Sequence, residues 1–162
     1  MPRWSLRRNE QGIKSMKILI LNGPNLNLLG MREPQHYGTT TYAALIEGLV
    51  RYCAARGADA ECFQSNHEGD LVDAIQQAYG KADGIVFNPG AYTHTSIALL
   101  DALRAVGIPT VEVHISDVNS REPFRRQSYI RPACIATIAG HGTKGYEEAV
   151  DLLIARLGEE KS

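Results

Sequence analysis

The sequence lacks an excess of charge of either sign, long apolar runs and a patterned set of cysteines. Its 162 residues contain 17 lysines and arginines and 18 aspartates and glutamates, so no strong overall field would recruit nucleic acid or an anionic membrane surface. No apolar run approaches the roughly 20 residues that a membrane-spanning helix needs. The cysteines, Cys53, Cys62 and Cys134, are odd in number and too scattered for a zinc site. We therefore expect a cytoplasmic protein with reduced core cysteines and a small-molecule partner.

Several catalytic motifs are also absent. The Gly-Pro-Asn-Leu-Asn-Leu-Leu-Gly segment at residues 23–30 matches neither the dinucleotide fingerprint nor the Walker pattern. No two histidines have the i, i+4 helical spacing with a partner carboxylate that many zinc sites use. No Gly-x-Ser-x-Gly elbow is present, and no cysteine ends a strand beside a histidine. The sequence therefore disfavours a nucleotide cofactor, a catalytic metal and a covalent acyl intermediate.

The length of the chain fits one domain. Residues 1–15 are polar and basic and contain no apolar h-region, so they resemble neither a secretory signal nor an anchor. We expect residues 1–15 to be a flexible extension, residues 16–158 a single catalytic domain, and residues 159–162 a C-terminal tail.

Short apolar runs alternate with helical patterns along that domain. The strand-like runs are residues 17–21, 58–63, 84–87, 109–115 and 133–139. The helical faces between and after them consist of Leu45, Ile46, Leu49, Val50 and Cys53; Leu71, Val72, Ile75, Ala78 and Tyr79; Ile97, Leu100, Leu103 and Val106; and Tyr146, Ala149, Val150, Leu153 and Leu157. Buried strands joined by helical crossovers predict an α/β three-layer sandwich with a five-stranded parallel sheet of flavodoxin-like order 2-1-3-4-5.

In such a fold, ligands bind outside the carboxyl ends of the strands. The residues expected there are rich in asparagine, glutamine and histidine, at 22–25, 64–67, 88–90, 114–116 and 140–142. Loops are commonly polar, so an ordinary structural edge is an alternative reading.

The segment at 22–37 is longer than most strand-to-helix loops and contains two prolines. Its turn dipeptides and prolines argue against a regular element before the threonines at 39–41. Long connections are more often functional than decorative, and this one contains Arg32, His36 and Tyr37. We interpret it as an active-site lid.

Two candidate proton carriers follow from these positions. His114 ends the fourth apolar run, and Glu112, two residues earlier, points to the same face of a strand, so a carboxylate can orient the imidazole of a general acid. A buried histidine satisfied by the backbone is the alternative. Tyr37 could act as a base only if cations such as Arg32, or the arginines at 121, 125 and 126, lower a pKa that is ordinarily about 10. A packing role for Tyr37 and a solvated turn for the arginines are the alternatives.

The segment at 88–96, Asn-Pro-Gly-Ala-Tyr-Thr-His-Thr-Ser, is rich in hydrogen-bonding groups. Thr95 or Ser96 is expected to cap the following helix, which leaves Asn88 and His94 available for a ligand. Backbone donors at Ile115 and Ser116, with one arginine, would make a carboxylate site.

These residues together resemble type II 3-dehydroquinate dehydratase (3-dehydroquinase). The resemblance covers residues 16 to about 158. It is carried by the motifs at residues 21–27, 30–34 with 37–38, 88–96, 112–116 and 124–129.

The resemblance implies a cofactor-free trans elimination of water from 3-dehydroquinate to 3-dehydroshikimate through an enolate, in the shikimate pathway of aromatic amino acid biosynthesis or in quinate use. It implies that Tyr37 is the base and His114 the general acid. It further implies that a water near Asn25 stabilises the enolate, and that Arg32 closes over the substrate and helps to keep the tyrosine ionised, together with Arg121.

The resemblance also implies the substrate contacts. Asn88, His94 and Arg125 would bind hydroxyls, and the backbone of Ile115 and Ser116 would bind the carboxylate. Asp101 matches a family residue that approaches a neighbouring subunit's site, in a homododecamer built as a tetramer of trimers.

Two positions depart from the family pattern. Met31 stands where many relatives carry a second arginine, and Asp117 where asparagine is common.

Two other functions fit the fold, namely a non-catalytic flavodoxin-like binding module and a metal-dependent lyase. The module is disfavoured because the first strand lacks paired acidic residues and the first loop lacks a hydroxyl-rich phosphate cradle.

Overall fold

The computed structural model describes residues 12, 14–31, 34–37 and 39–162, without the side chains of Pro34 and Tyr37. The predictions for most of the N-terminal extension, for Arg32 and for the side chain of Tyr37 therefore lie outside the described residues.

Five parallel strands form one sheet. They are β1 (Met16–Asn22), β2 (Ala58–Gln64), β3 (Gly84–Asn88), β4 (Thr110–His114) and β5 (Ala136–Ala139). Their order is β2-β1-β3-β4-β5, which confirms the flavodoxin-like order predicted from the sequence. The strands β1, β3 and β4 lie inside the sheet, so their carboxyl ends converge where a ligand cleft is expected.

The helices are α1 (Pro34–Tyr37), α2 (Tyr42–Ala54), α3 (Glu68–Ala78), α4 (Ile97–Val106) and α5 (Lys144–Glu160). Thr41 caps α2, because its side chain accepts Ala44 N–H. Of the two predicted caps of α4, Thr95 and Ser96, it is Ser96 whose side chain accepts a backbone N–H, from Leu99. No helix among these residues is long and apolar enough to cross a membrane.

Three sequence predictions are corrected. The fifth strand begins at Ala136 rather than at 133, because Arg131–Ala133 form a 3₁₀ turn. The helical apolar faces are narrower than predicted, since Val50, Tyr79 and Ile97 are exposed at 42%, 70% and 56%. The segment at 22–37 is not without regular structure, because it contains a 3₁₀ turn at Leu26–Leu28 and the single turn α1. Pro34 starts α1, a position where its missing N–H costs nothing.

Alternation along the strands divides the core between two faces of the sheet. Ile18 and Ile20 pack with the apolar sides of α2 and α5, whereas Leu19 and Leu21 pack with α3 and α4. Most side chains in both clusters are buried aliphatic groups, and each methylene removed from water stabilises the fold by about 0.8 kcal/mol. Packing on both faces therefore holds the sheet in place, and the sheet fixes the positions of the polar side chains at its carboxyl edge.

Candidate active site

A cleft of about 170 Å³ lies at the carboxyl ends of β1, β3 and β4. Most of the residues predicted for a site line it. They are Asn25, Asn88, His94, His114, Ile115, Ser116 and Arg125. Parallel strands bring these distant segments together because all their carboxyl ends lie on one edge.

Two glycines allow the loops after β1 and β3 to pack against each other. A Cβ on Gly23 would lie 2.1 Å from the carbonyl oxygen of Pro89, so only glycine fits there. Gly23 N–H donates to the Asn88 carbonyl at 2.8 Å. Gly90 has a φ of +60°, and a Cβ on it would lie 3.0 Å from the Pro24 carbonyl oxygen. This close packing fixes the distance between the first loop and Asn88.

Asn25 projects from that first loop with a left-handed backbone, φ 68°. Its N–H donates to Asn66 Oδ1 at 3.0 Å, which holds the turn. Asparagine adopts this conformation more easily than most residues. A non-glycine residue in such a conformation at a cleft is characteristic of functional positions.

A neutral hydrogen-bonded cluster holds Asn88 from beneath, on the face of the sheet that packs against α5. The Tyr146 hydroxyl donates to Asn22 Oδ1 at 2.6 Å and accepts from Asn88 Nδ2 at 2.9 Å. Asn88 Oδ1 accepts from Gly90 N–H at 3.1 Å. All three side chains of this amide–phenol cluster (Asn22, Asn88 and Tyr146) are buried. Burial raises the pKa of Tyr146, so its hydroxyl keeps its proton.

His114 and Glu112 lie side by side on the opposite face of the sheet, as their two-residue spacing predicted. His114 Nε2 is 3.4 Å from Glu112 Oε1, and the two residues are 5% and 0% exposed. This is an ion-pair distance rather than a hydrogen bond of good geometry, and Nε2 makes no such bond within the described residues. With Nε2 facing the carboxylate, the other ring nitrogen remains for chemistry in the cleft.

Three further side chains contact Glu112. Its Oε1 accepts from the Ser128 hydroxyl, and its Oε2 accepts from Thr137 Oγ1 at 2.8 Å and from Arg131 Nε at 3.1 Å. We call Glu112, His114, Ser128, Arg131 and Thr137 the carboxylate cluster. Burial raises the pKa of Glu112, but the neighbouring imidazole of His114 and the two hydroxyl donors outweigh burial and lower it to about 2. Glu112 is therefore ionised at neutral pH.

His94 lies in the cleft with a defined tautomer. Its Nδ1–H donates to the Gln127 carbonyl at 2.6 Å, which leaves Nε2 as a hydrogen-bond acceptor. Burial lowers the pKa of His94, the Gln127 hydrogen bond opposes this, and the charges of His114 and Arg125 lower it further. A neutral imidazole with a free acceptor suits a substrate hydroxyl.

Two arginines of the segment after β4 line the cleft, and the solvated-turn reading does not apply to them. The side chains of Arg121 and Arg125 are 9% and 26% exposed. Arg125 Nε donates to Glu122 Oε2 at 2.8 Å. Arg126 is exposed, in agreement with the solvated alternative. The cleft thus contains permanent positive charge, which suits an anionic ligand.

The backbone after β4 turns sharply below the cleft. The carbonyl of Ile115 accepts from Gly142 N–H at 3.1 Å, and that of Ser116 accepts from Gly140 N–H at 3.1 Å. These bonds fix the peptide planes of the segment that was predicted to bind a carboxylate. Asp101, by contrast, is exposed on α4, outside this cleft.

A second opening adjoins the cleft and shares Ile115 and Ser116 with it. Gln35, His36 and Thr40 form one side, and the residues around Gly140 form the other. Residues of α1, which belongs to the predicted lid at 22–37, therefore border this second opening.

Sequence reasoning missed four polar supports of the site. Tyr146 was predicted only as part of an apolar helical face, and Ser128, Arg131 and Thr137 were not singled out. The one available signal for Tyr146 was its hydroxyl, because a buried tyrosine usually finds a hydrogen-bond partner. Among the described residues, no group of three or more histidine, cysteine, aspartate or glutamate side chains could hold a metal ion.

The comparisons with known proteins agree with one another. A model of the family described as dehydroquinase class II matches residues 16–154. The chain is 51% identical over 141 residues to a 3-dehydroquinate dehydratase of Vibrio parahaemolyticus, covering 87% of this chain and 95% of the relative. It is 56% identical over 133 residues to catabolic 3-dehydroquinase 2 of Aspergillus flavus, covering 82% and 89%. The crystal structure of type II dehydroquinase from Butyrivibrio crossotus has a TM-score of 0.85 and 52% identity, covering 86% of this chain and 98% of that one.

Proposed function

The chain belongs to the class II dehydroquinase family, and from this premise we propose that it is a hydro-lyase that removes water from 3-dehydroquinate to form 3-dehydroshikimate. The chain has similar sequence identity to a 3-dehydroquinate dehydratase, 51%, and to a catabolic 3-dehydroquinase, 56%. The proposal therefore covers one reaction that serves either the shikimate pathway or quinate use.

The observation that carries the proposal is the buried His114–Glu112 pair at the floor of a cationic cleft. Elimination of a hydroxyl needs an acid that protonates it as the C–O bond breaks. An imidazole that faces a buried carboxylate is held in one orientation, with its other ring nitrogen directed to the cleft. His114 is thus the general acid, and the departing hydroxyl leaves as water.

Tyr37 is the proposed base. Its backbone ends α1, and the α1 residues Gln35 and His36 line the second opening. As a phenolate it would take the proton alpha to the ketone, and the electron pair would pass into an enolate. Arg32 would close over the substrate and support the phenolate with Arg121. A water near Asn25 would donate to the enolate oxygen, which is the electrostatic stabilisation that such an intermediate needs.

The remaining cleft residues would orient the substrate. His94 Nε2 can accept from a hydroxyl, since its Nδ1 is occupied by Gln127. Asn88, held by Tyr146, and Arg125 would bind other hydroxyls. The backbone N–H groups of Ile115 and Ser116 would bind the carboxylate, next to the positive charge of Arg121.

Assembly and location extend this proposal. Asp101 is exposed on α4, where it could approach the cleft of a neighbouring copy, as in a homododecamer of four trimers. The proposal includes a catalytic domain at residues 16–158, cytoplasmic location, and no need for a cofactor, a metal, nucleic acid or a membrane.

The test is a direct assay of the purified protein with 3-dehydroquinate, following the enone carboxylate by its ultraviolet absorbance, with and without a chelator. We expect turnover in both conditions. Tyr37→Phe and His114→Ala should each lower kcat by roughly 10²-fold or more while the fold is retained. Arg32→Ala should lower kcat more than it raises KM. Near-wild-type rates in either of the first two variants would remove the assigned roles, and loss of activity in chelator would favour the metal-dependent lyase.

A further inference from the structure

The Glu112 carboxylate has its two oxygens divided between different partners. Oε2 accepts from Arg131 and Thr137, whereas Oε1 accepts from Ser128 and faces His114 Nε2. Arg131 is the permanent cation among these partners, and its side chain is 45% exposed. The acid of the proposed reaction is thus connected to a surface arginine through one buried carboxylate.

We propose that Arg131, together with Thr137, is a positioning residue that holds Glu112 in the orientation facing His114 and sets the pH range over which the imidazole can deliver its proton. The inference rests on the proposed function, because it assumes that His114 is the acid.

The local backbone fixes the positions of both donors to Glu112 Oε2. Thr137 is the register partner of Glu112 on the neighbouring strand β5, so the sheet ladder itself fixes its hydroxyl beside Oε2. Arg131 begins the 3₁₀ turn before β5, and its N–H donates to Ser128 Oγ at 3.3 Å. A carboxylate held at both oxygens by braced donors has one orientation available, and that orientation faces His114.

Charged and titratable groups from several elements surround His114. Glu112 of β4 faces its Nε2, and His94, Arg121 and Arg125, from the segments after β3 and β4, line the cleft with it. Arg131 approaches from the turn before β5 and compensates part of the Glu112 charge. Cys134, near both, remains a neutral thiol because burial raises its pKa to about 12.

Removing the Arg131 charge would leave Glu112 acting on His114 without compensation. The protonated imidazole would be stabilised, so the enzyme would retain its acid to higher pH but the acid would be weaker. We expect the alkaline limb of the kcat profile to move up by roughly 0.5 pH unit in Arg131→Gln, a modest shift because the arginine is half exposed. The plateau of kcat should fall by roughly 3- to 10-fold, with KM changed less than about 2-fold.

The control is Arg156→Gln, which removes the same charge from another arginine–carboxylate pair. Arg156 Nε lies 3.5 Å from Glu160 Oε1, and its side chain is 52% exposed. It belongs to α5, on the face of the sheet opposite to Glu112. All kinetic parameters should be unchanged in this variant. Arg131→Lys, which keeps the charge, should leave the alkaline limb near its wild-type pH, and Thr137→Val should lower kcat without moving that limb.

The decisive measurement is the pH profile of kcat for all four variants, with thermal unfolding recorded in parallel. An alkaline limb in Arg131→Gln that coincides with that of Arg156→Gln would overturn the inference. So would a lower unfolding temperature with normal kcat and a normal limb, since the arginine would then be structural only. His114→Ala separates the two levels, because retained turnover there would remove the acid assignment itself, whatever Arg131 does.

Discussion

The amide–phenol cluster and the carboxylate cluster support the same cleft from opposite faces of the sheet, and they differ in charge. In the first, Asn22, Tyr146 and Asn88 share neutral hydrogen bonds. In the second, an ionised Glu112 receives donors from Ser128, Arg131 and Thr137. Each cluster contains buried side chains of the strands, Asn22 and Asn88 in the first and Glu112 and His114 in the second, so both depend on the sheet for their geometry.

This difference indicates a division of tasks. Neutral hydrogen bonds keep the same strength across the physiological pH range, because no member of the amide–phenol cluster titrates there, and burial raises the pKa of Tyr146 still further. That cluster suits a substrate-binding amide such as Asn88, which must stay in one place. The carboxylate cluster contains titrating groups, and its energy changes with pH. It is therefore the place for a side chain that gains and loses a proton.

The largest effect should follow from removing the negative charge of the carboxylate cluster. In Glu112→Gln, the imidazole of His114 would lose the carboxylate charge that it faces, while the shape of the site would change little. We expect kcat to fall by roughly 10²-fold, at the lower end of what a general acid contributes because the imidazole itself remains. Steady-state assays with 3-dehydroquinate measure this.

A matched control exists on the surface. Glu148 Oε2 lies 2.8 Å from His141 Nδ1, with side chains 48% and 53% exposed. Glu148→Gln therefore removes a carboxylate from another histidine pair, one that lies outside the cleft. Equal kcat losses in the two variants would mean that the Glu112 effect is not specific to the site.

The second effect concerns stability at acid pH. The folded protein lowers the pKa of Glu112 from an ordinary 4.5 to about 2, so the unfolded chain binds its proton first as the pH falls. The stabilisation from this group is fully present above pH 4.5 and is lost between 4.5 and about 2; it is at most about 3 kcal/mol. Denaturant unfolding across this pH range should show the wild-type advantage over Glu112→Gln shrinking as the pH falls. A constant difference would contradict the ionised, buried carboxylate.

The third effect tests the neutral cluster. Tyr146→Phe would leave Asn22 Oδ1 and Asn88 Nδ2 buried without their shared partner, so we expect a loss of about 1–3 kcal/mol in the free energy of unfolding. KM should rise several-fold because the Asn88 amide loses its anchor, while the pH limbs of kcat should not move. Tyr79→Phe, at a tyrosine that is 70% exposed, is the control and should change neither quantity. A shifted pH profile in Tyr146→Phe would mean that the two clusters are not independent.

The two clusters also show what could be predicted from the sequence. The alternation of strands and helices along the chain predicts the strand order, and the two-residue period of a strand predicts the Glu112–His114 pairing. Both are confirmed. The contact between Tyr146 and Asn22 joins residues 124 positions apart, and no local pattern encodes it. Arg131 was missed for another reason. The apolar run at 133–139 predicted a strand from residue 133, but residues 131–133 form a 3₁₀ turn that starts the strand later. In that turn the Arg131 side chain reaches Glu112.

The smallest effect belongs to a residue that is part of neither cluster but follows the same loop as Asn88 and His94. Ser96 caps α4, and its hydroxyl accepts from Leu99 N–H at 3.0 Å. Ser96→Ala should cost about 1 kcal/mol of unfolding free energy, the usual value of an N-cap. KM and the pH profile should stay as in wild type, because Asn88 is held by Tyr146 and His94 by Gln127 rather than by the helix start. A raised KM in Ser96→Ala, measured beside an unfolding curve, would show instead that the cap of α4 positions the substrate-binding loop, and that the cleft depends on three supports rather than two.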